Sequence, residues 1–369
     1  MTIMRSFVLK RFVASLFVLP PIVVCAVIGL IALKNGGETV AKVFEAPRGS
    51  RFTILYPSSD GQKVWAMFVS VSRTQDSSGV IFSVIQPVIA LDAFSNAIIN
   101  RVNINVSNPW SSFIGLARGI SADIFPLVEQ FRNWVIDKDG KVIYGVVSSH
   151  LWDEPPSDDS VIKAIEVTSR KQLWERAIPK VSALALSSER HQLWVASDQP
   201  ILVKDIETLP RDFPKFYYMD EARVIYVIDT RDGAILKRIG YISGDGADSI
   251  VFSPDMKRAI CIARGGLGGL LVIDAERLEI EEGWCELRFS MFSRGMDGCW
   301  SQDGKYLYIL DRGFDSPPSV QVYEVPRKSL IGKITLPTKS PARTMVLSNP
   351  ANKLFIGADD GIYVVNLAK

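Results

Sequence analysis

Histidine is nearly absent from this chain: two of the 369 residues carry it, His150 and His191. Two histidines cannot by themselves build a three-histidine metal centre. Cysteine is almost as scarce. There are four, and no C-x-x-C spacing exists among them, which removes zinc-knuckle and thioredoxin-like readings. Cys25 sits inside an apolar stretch, leaving Cys261, Cys285 and Cys299, of which one pair, Cys285 with Cys299, could bridge outside the cytoplasm. No block of five or six like charges occurs, so nucleic acid is not expected as a partner. The patterns G-x-S-x-G, G-x-x-x-x-G-K-S/T and H-E-x-x-H are missing too, and with them any motif support for a serine hydrolase, a P-loop protein or a zincin.

What is present is apolar. Hydrophobic residues make up 47% of the chain and charged residues 22%, ordinary values for a chain that buries a large core. The aromatic share is 10%, with eight Trp, which leans toward strands. From Phe12 to Leu33 run 22 consecutive uncharged residues. As a helix at about 1.5 Å per residue they span roughly 33 Å, enough to cross a hydrocarbon core. The run ends in IALKNGG without a small-x-small cleavage site, and Val23 and Val24 precede Cys25 where lipoprotein processing wants a small residue. An uncleaved signal-anchor is therefore expected. Pro20 and Pro21 would kink the helix, which membrane helices tolerate.

Arg5, Lys10 and Arg11 lie before the run and only Lys34 closely follows it, so the positive-inside rule puts the N-terminus in the cytoplasm. The expected organisation is a cytoplasmic segment at 1–11, a transmembrane anchor at 12–33, a linker at 34–38 and an extracytoplasmic domain at 39–369. The localisation expected is the cytoplasmic (inner) membrane, single-pass, with the domain on the periplasmic side.

That domain repeats a four-strand phrase. One copy reads SIVFSPD, KRAICIA, LLVID and LEIEEGW; the next reads GCWSQDG, KYLYIL, SVQVYEV and SLIGKI. The last reads RTMVLSNP, NKLFIGA and GIYVVN, and then the phrase stops. Divergent copies precede these, and the third strands end at Asp92, Glu166, Asp229, Asp274, Glu324 and Asn366. A short acceptor there can take hydrogen bonds from backbone N–H groups of the next turn. The spacing predicts a β-propeller of six blades, or seven if one degenerate copy is hidden. The last copy lacks its fourth strand, while Thr39–Ala46 (TVAKVFEA) reads like one. Pairing the two ends in one blade would close the ring and remove its open edge.

The phrases VIDTRDGAILKRIG…SIVFSPDMKRAICIA and LLVIDAERLEI resemble the YVTN-type β-propeller repeat family, whose kin include surface-layer repeat proteins and the propeller subunits of periplasmic amine dehydrogenases. The resemblance covers residues 224–369 and concerns scaffold positions, so what it implies is fold. Ala164–Trp174, AIEVTSRKQLW, is similar to one imperfect copy of the tryptophan docking motif of quinoproteins, with Glu166 and Arg170 where that motif has Asp or Asn and Gly. Only this copy ends in Trp, so a pyrroloquinoline cofactor is not expected, and Trp174 should pack between blades as Trp65, Trp134, Trp194 and Trp300 should.

Turns between first and second strands are short (SPDMK, SQDGK, DKDGK, SNPANK), whereas the connections on the opposite face are long and irregular, among them SRTQDSSG from Ser72 and ASDQP through EAR in the third copy. Binding groups favour such loops. Six ligand-binding candidates lie there: Arg264, Asp311, Arg312, Asp359, His150 and Asp153. The first four stand at the ends of second strands, near the axis. Glu154, Asp158, Asp159, Asp198, Asp315 and Asp360 add to the charge of that face. Converging carboxylates could hold Ca²⁺, although solvated loop charge is the commoner outcome and no metal or cofactor is assigned. RGGLGG at Arg264–Gly269 leads into a strand and reads as a turn. Ser121–Phe131 has the pattern of a short capped helix. Phe213, Phe216, Tyr217 and Tyr218, in the insertion DFPKFYYM, are partner-binding candidates or a cap for the channel.

The leading expectation is a binding or scaffolding propeller for a protein partner or an envelope ligand. The alternative is an enzyme, either a metal-dependent propeller hydrolase or lactonase, or the propeller subunit of a periplasmic redox enzyme.

Overall fold

The computed structural model describes residues 39–50, 52–58, 60–73, 80–103, 133–147, 160–209, 221–241, 246–263, 270–281, 295–312 and 316–367. These fold into six four-stranded antiparallel sheets. Blade 1 comprises β2 (Phe52–Pro57), β3 (Lys63–Arg73), β4 (Val80–Asp92) and β5 (Ile98–Val102), and blade 2 comprises β6 (Asn133–Ile136), β7 (Val142–Val147), β8 (Val161–Glu166) and β9 (Gln172–Ala177). Blade 3 holds β10 (Val181–Ser187), β11 (Gln192–Leu202), β12 (Glu221–Asp229) and β13 (Ile235–Tyr241). Blade 4 holds β14 (Ala247–Phe252), β15 (Arg258–Ala263), β16 (Leu270–Asp274) and β17 (Glu279–Ile280). Blade 5 holds β18 (Gly295–Trp300), β19 (Tyr306–Asp311), β20 (Ser319–Glu324) and β21 (Ser329–Thr335). Blade 6 joins β22 (Ala342–Ser348), β23 (Lys353–Ala358) and β24 (Gly361–Asn366) to β1 (Val40–Glu45) from the other end of the chain.

The hydrophobic pattern explains why the sheets stack face to face. Second and third strands such as KLFIGA, GIYVVN and YLYILD are buried at nearly every position, because both of their faces are covered by neighbouring blades; such strands read as apolar runs instead of alternating. Outer strands alternate more openly, as in β9. Six apolar clusters fill the six seams. Trp194 and Tyr241 pack against Ile250 and Cys261 between blades 3 and 4. Tyr144 and Trp174 meet Leu193 and Tyr226 between blades 2 and 3. Ile260 and Val272 meet Trp300 and Tyr323 between blades 4 and 5, and Leu310 and Val320 meet Ile356 and Tyr363 between blades 5 and 6. Val64 and Phe68 meet Phe355 and Val364 between blades 6 and 1, and Tyr56 packs on Trp134 between blades 1 and 2. Because each seam joins consecutive blades and the last returns to the first, the sheets circle an axis. This is a six-bladed β-propeller, with no seventh sheet among the described residues.

Closure occurs as the sequence predicts. β1 pairs antiparallel with β24, from Val40 opposite Val365 to Glu45 opposite Gly361. Asn366 donates from Nδ2 to Thr39 Oγ1 at 3.0 Å, and Ala46 N–H donates to Asp360 O at 3.0 Å. Phe44 stacks on Phe68 of blade 1, ring centroids 5.3 Å apart. Within the described segments the strand occupies Val40–Glu45, inside the expected Thr39–Ala46.

One face of the ring is built by a repeated turn recipe. Ser58 and Asp60, Ser253 and Asp255, and Ser301 and Asp303 make the same network. In each, the Ser hydroxyl donates to the Asp carboxylate, and the carboxylate accepts the backbone N–H two residues on. The residue after the Asp, or its equivalent, has a left-handed φ in all six blades: Gly61, Gly140, His191, Met256, Gly304 and Asn352. Only glycine reaches that region without steric cost. DKDGK is thus a hairpin turn, with Asp137 Oδ1 accepting Lys141 N–H at 2.6 Å, and His191 is a turn residue. At the third-to-fourth-strand turns, Asp92, Asp229 and Asp274 accept backbone N–H groups of the turns they open, as the spacing of acidic residues predicts.

Candidate functional site

The long-loop face takes its geometry from the starts of the inner strands. In blades 3, 4, 5 and 6 the first two strands lose register at one place, leaving Ser182, Asp248, Met296 and Arg343 each as the extra residue of a β-bulge. Bulges re-aim side chains and concentrate beside functional sites. Directly across stand register-equivalent residues of the second strands: Ser197, Ala263, Asp311 and Ala358. The next positions in blades 3, 5 and 6 are Asp198, Arg312 and Asp359. Two of the sequence candidates thus occupy one structural position in two blades, and Asp198 is its counterpart in blade 3.

Between blades 5 and 6 these positions gather charge. Arg343 Nε lies 3.3 Å from Asp359 Oδ1, with both side chains partly buried. Burial pushes the Asp359 carboxyl above its ordinary range, and the Arg343 and Arg312 charges oppose that rise. Asp311 is buried and accepts Gln321 Nε2 at 3.3 Å. Its charge adds to burial in pushing the Tyr323 phenol up to about 12. Asp360 sits one residue beyond Asp359 and is held below its ordinary range despite burial, by Tyr363 OH at 2.7 Å, Lys42 at 3.3 Å and Thr338 at 3.1 Å. Beneath this mouth, Asp297 is the most displaced carboxylate. It accepts Gly298 N–H at 2.8 Å and Met345 N–H at 3.0 Å, the latter from the inner strand of the next blade. Burial raises it to about 6, with the two N–H groups pulling the other way.

The described carboxylates Asp311, Asp359 and Asp360 do not converge as a calcium site requires. Asp359 pairs with arginine, Asp360 with lysine and hydroxyls, and Asp311 with an amide. Among the described residues no group of three or more His, Cys, Asp or Glu is arranged to hold a metal ion. What the mouth offers instead is two guanidiniums beside partly desolvated carboxylates, suited to recognising a polar or charged group.

Several expectations need correcting. The second-to-third-strand connection of blade 3 does not begin at ASDQP, because β11 runs on to Leu202. The chain then turns through a short 3₁₀ segment at Val203–Asp205 and bridges Thr208 to Ile239 in parallel. This places Leu209, the last described residue before the aromatic insertion, on Gly240 at the outer edge of blade 3. In blade 1, Ser72 and Arg73 belong to β3, not to a loop, and the hairpin pairs as far as Arg73 opposite Val80. Cys299 is a thiol on β18, pushed well up by burial and the neighbouring Asp297, and its expected partner Cys285 lies outside the described residues. Trp134, Trp174, Trp194 and Trp300 pack between blades as expected, and Trp174, between blades 2 and 3, donates to Thr230 O at 2.8 Å.

Arg264, His150, Asp153, Glu154, Asp158, Asp159, Asp315, Phe213, Phe216, Tyr217 and Tyr218 lie outside the described residues, as do 12–33 and Ser121–Phe131. The described helices include none long and apolar enough to cross a membrane. Asp297 and Arg343 escaped the sequence reading, although a lone Asp within the inner-strand phrase MDGCW was a usable signal, since unpaired carboxylates are rarely buried.

No protein-family profile matches the chain, and no curated protein does. Among solved structures it is similar to Kuenenia stuttgartiensis hydrazine synthase, at 16% identity over 84% of this chain and 73% of that one, with a TM-score of 0.47. It is also similar to the Myceliophteria thermophila Cps50 (Swd1) β-propeller domain, at 8% identity over 60% of each chain, with a TM-score of 0.42. Both are β-propeller proteins. The fold assignment stands on the six sheets and their closed ring of seams.

Proposed function

We propose that this chain is a binding propeller of the YVTN type, tethered by residues 12–33 to the outer side of the cytoplasmic membrane. In this reading residues 39–369 form one extracytoplasmic domain, which presents its long-loop mouth to a protein partner or envelope ligand. One observation carries it. β1 starts beside Asn366, on the face of the tight turns, and runs toward the opposite face. Six residues, Lys34–Thr39, separate the apolar run from β1, a reach of at most ~21 Å. A tether of that length holds the tight-turn face at the bilayer and turns the mouth with Arg312, Arg343 and Asp359 away from it, toward whatever is to be bound.

The test uses the full chain. It should sediment with membranes, resist a carbonate wash and be digested by protease added from the extracytoplasmic side; recovery as a soluble protein overturns the tether. After detergent extraction, Arg312→Glu should lose the protein or ligand that co-purifies with the unaltered chain. Retention of that partner would move binding off this face, and metal analysis of the same sample would expose a cation site that the described carboxylates do not form.

A further inference from the structure

Seven large hydrophobic side chains are exposed among the described residues, and six lie on the tight-turn half of the propeller. Phe94 is in the turn before β5; Ile99, Leu173, Leu236 and Leu330 are the second residues of β5, β9, β13 and β21, and Ile331 is the third of β21. They are 46 to 54% exposed. Outer strands always face solvent, so their position alone does not account for this. The same four strands end on the long-loop side in Val102, Ala177, Tyr241 and Thr335, none of them a large exposed apolar side chain. Scattered single apolar residues need no explanation, but a belt confined to one end of a ring does.

A second regularity accompanies the first. Each of these four outer strands, though not those of blades 4 and 6, places a cation one to three residues beyond its exposed aliphatic, farther from the tight-turn face: Arg101, Arg176, Lys237 and Lys333. Apolar groups at one level with basic groups one to three residues farther along the strand follow the order of a lipid interface, where aliphatics enter the acyl boundary and long basic side chains reach the phosphates. From this, and from the exit of Thr39 on the same face a few residues after an apolar run, we infer that the tight-turn rim rests in the headgroup layer of an anionic bilayer. The propeller axis then stands close to the membrane normal. The inference depends on the tether proposed above and adds to it a second, peripheral contact.

To test it, the full chain is reconstituted in phosphatidylcholine vesicles containing phosphatidylglycerol. An environment-sensitive fluorophore is attached at Leu236→Cys, at Leu330→Cys and, on the other side, at Leu202→Cys, with the unaltered chain as background for its native thiols. The labels at 236 and 330 should shift to the blue and lose most of their emission to lipids spin-labelled near the headgroup, while the label at 202 does neither. Two results overturn the inference with the tether intact. One is water-like emission at 236 and 330 in vesicle-bound protein. The other is a blue shift without quenching by lipid, which would mean that protein, from a second copy or a partner, covers the belt. Protein that fails to stay with the vesicles at all refutes the tether instead.

Discussion

The two faces of this propeller treat their carboxylates in opposite ways. On the tight-turn face Asp60, Asp92, Asp229 and Asp303 are all held below their ordinary range by hydrogen bonds from the turn that each one organises. For Asp60 and Asp303 the leading donor is a serine hydroxyl two residues earlier; for Asp229 it is Arg231, which takes the carboxyl down to about 2. Toward the long-loop face Asp297 and Asp359 are pushed up, because burial outweighs the few donors they find. A carboxylate that shapes a turn collects local N–H groups and stays ionised. One placed in the channel wall between blades has given up water without full replacement, which is how binding and catalytic groups are commonly prepared. Asp360 is the exception on its face, since Tyr363, Lys42 and Thr338 supply what Asp359 lacks.

The largest effect expected from this contrast is on stability against pH. Asp297 has a folded pKa of about 6, above the ordinary value, so folding favours its protonated form. Its contribution is fully present below about pH 4 and is lost as pH rises through 6, a change of ~3 kcal/mol. Asp229 works with the other sign: its stabilisation is present above about pH 4 and disappears as pH falls through 2. The combined contribution of these two groups is therefore greatest near pH 4. Urea unfolding from pH 2 to 8 should show the decline above pH 4, and Asp297→Asn should flatten that limb while leaving the acid limb in place. A variant that retains the full decline would assign it to another group.

This difference between the faces also sets what the sequence could reveal. Turn residues act on neighbours two to five positions away, so SPDMK, SQDGK and the acidic ends of third strands announce their roles locally. Closure was legible for a similar reason: GIYVVN lacked a partner strand and TVAKVFEA had no blade. The mouth is assembled from residues distant in sequence, and its defining distortion is hidden. A bulge inserts one residue into a period-two pattern, so the pattern itself assigns the wrong face to every residue on its far side. Arg343 reads as an ordinary strand start until the register across β22 and β23 is known, and Asp297 finds Met345 only through a fold that joins residues 48 positions apart. The far ends of β11 and β3 read as loops because Ser, Asp, Gln and Pro in the one and Ser and Arg in the other stand there, and tertiary pairing overrides that local preference.

A smaller effect probes the turn recipe itself. Met256 holds a left-handed φ of 56°, at the turn position where blades 1, 2 and 5 have Gly61, Gly140 and Gly304. Met256→Gly should stabilise the protein by ~1 kcal/mol, net of the entropy that glycine loses on folding. Gly304→Ala should destabilise it by ~1–2 kcal/mol through backbone strain alone, since open space surrounds the added methyl. Thermal melts that moved in the same direction for both variants would show that the six turns are not equivalent.

The smallest change in stability should come where the functional consequence is greatest. Arg343 and Asp359 form a partly exposed pair, and such pairs contribute ~0–1 kcal/mol. Arg343→Gln should therefore melt within that range of the unaltered chain. Its effect should appear in titration: without the guanidinium, burial acts on Asp359 against Arg312 alone, and the carboxyl should move further up, visible in its carbon-13 NMR shift. Arg327→Gln, which removes the ion pair to Glu324 on the other face, should leave both the Asp359 titration and partner binding untouched. If Asp359 does not respond to Arg343, the mouth is no more prepared than the turns opposite it, and the distinction between the faces reduces to loop length.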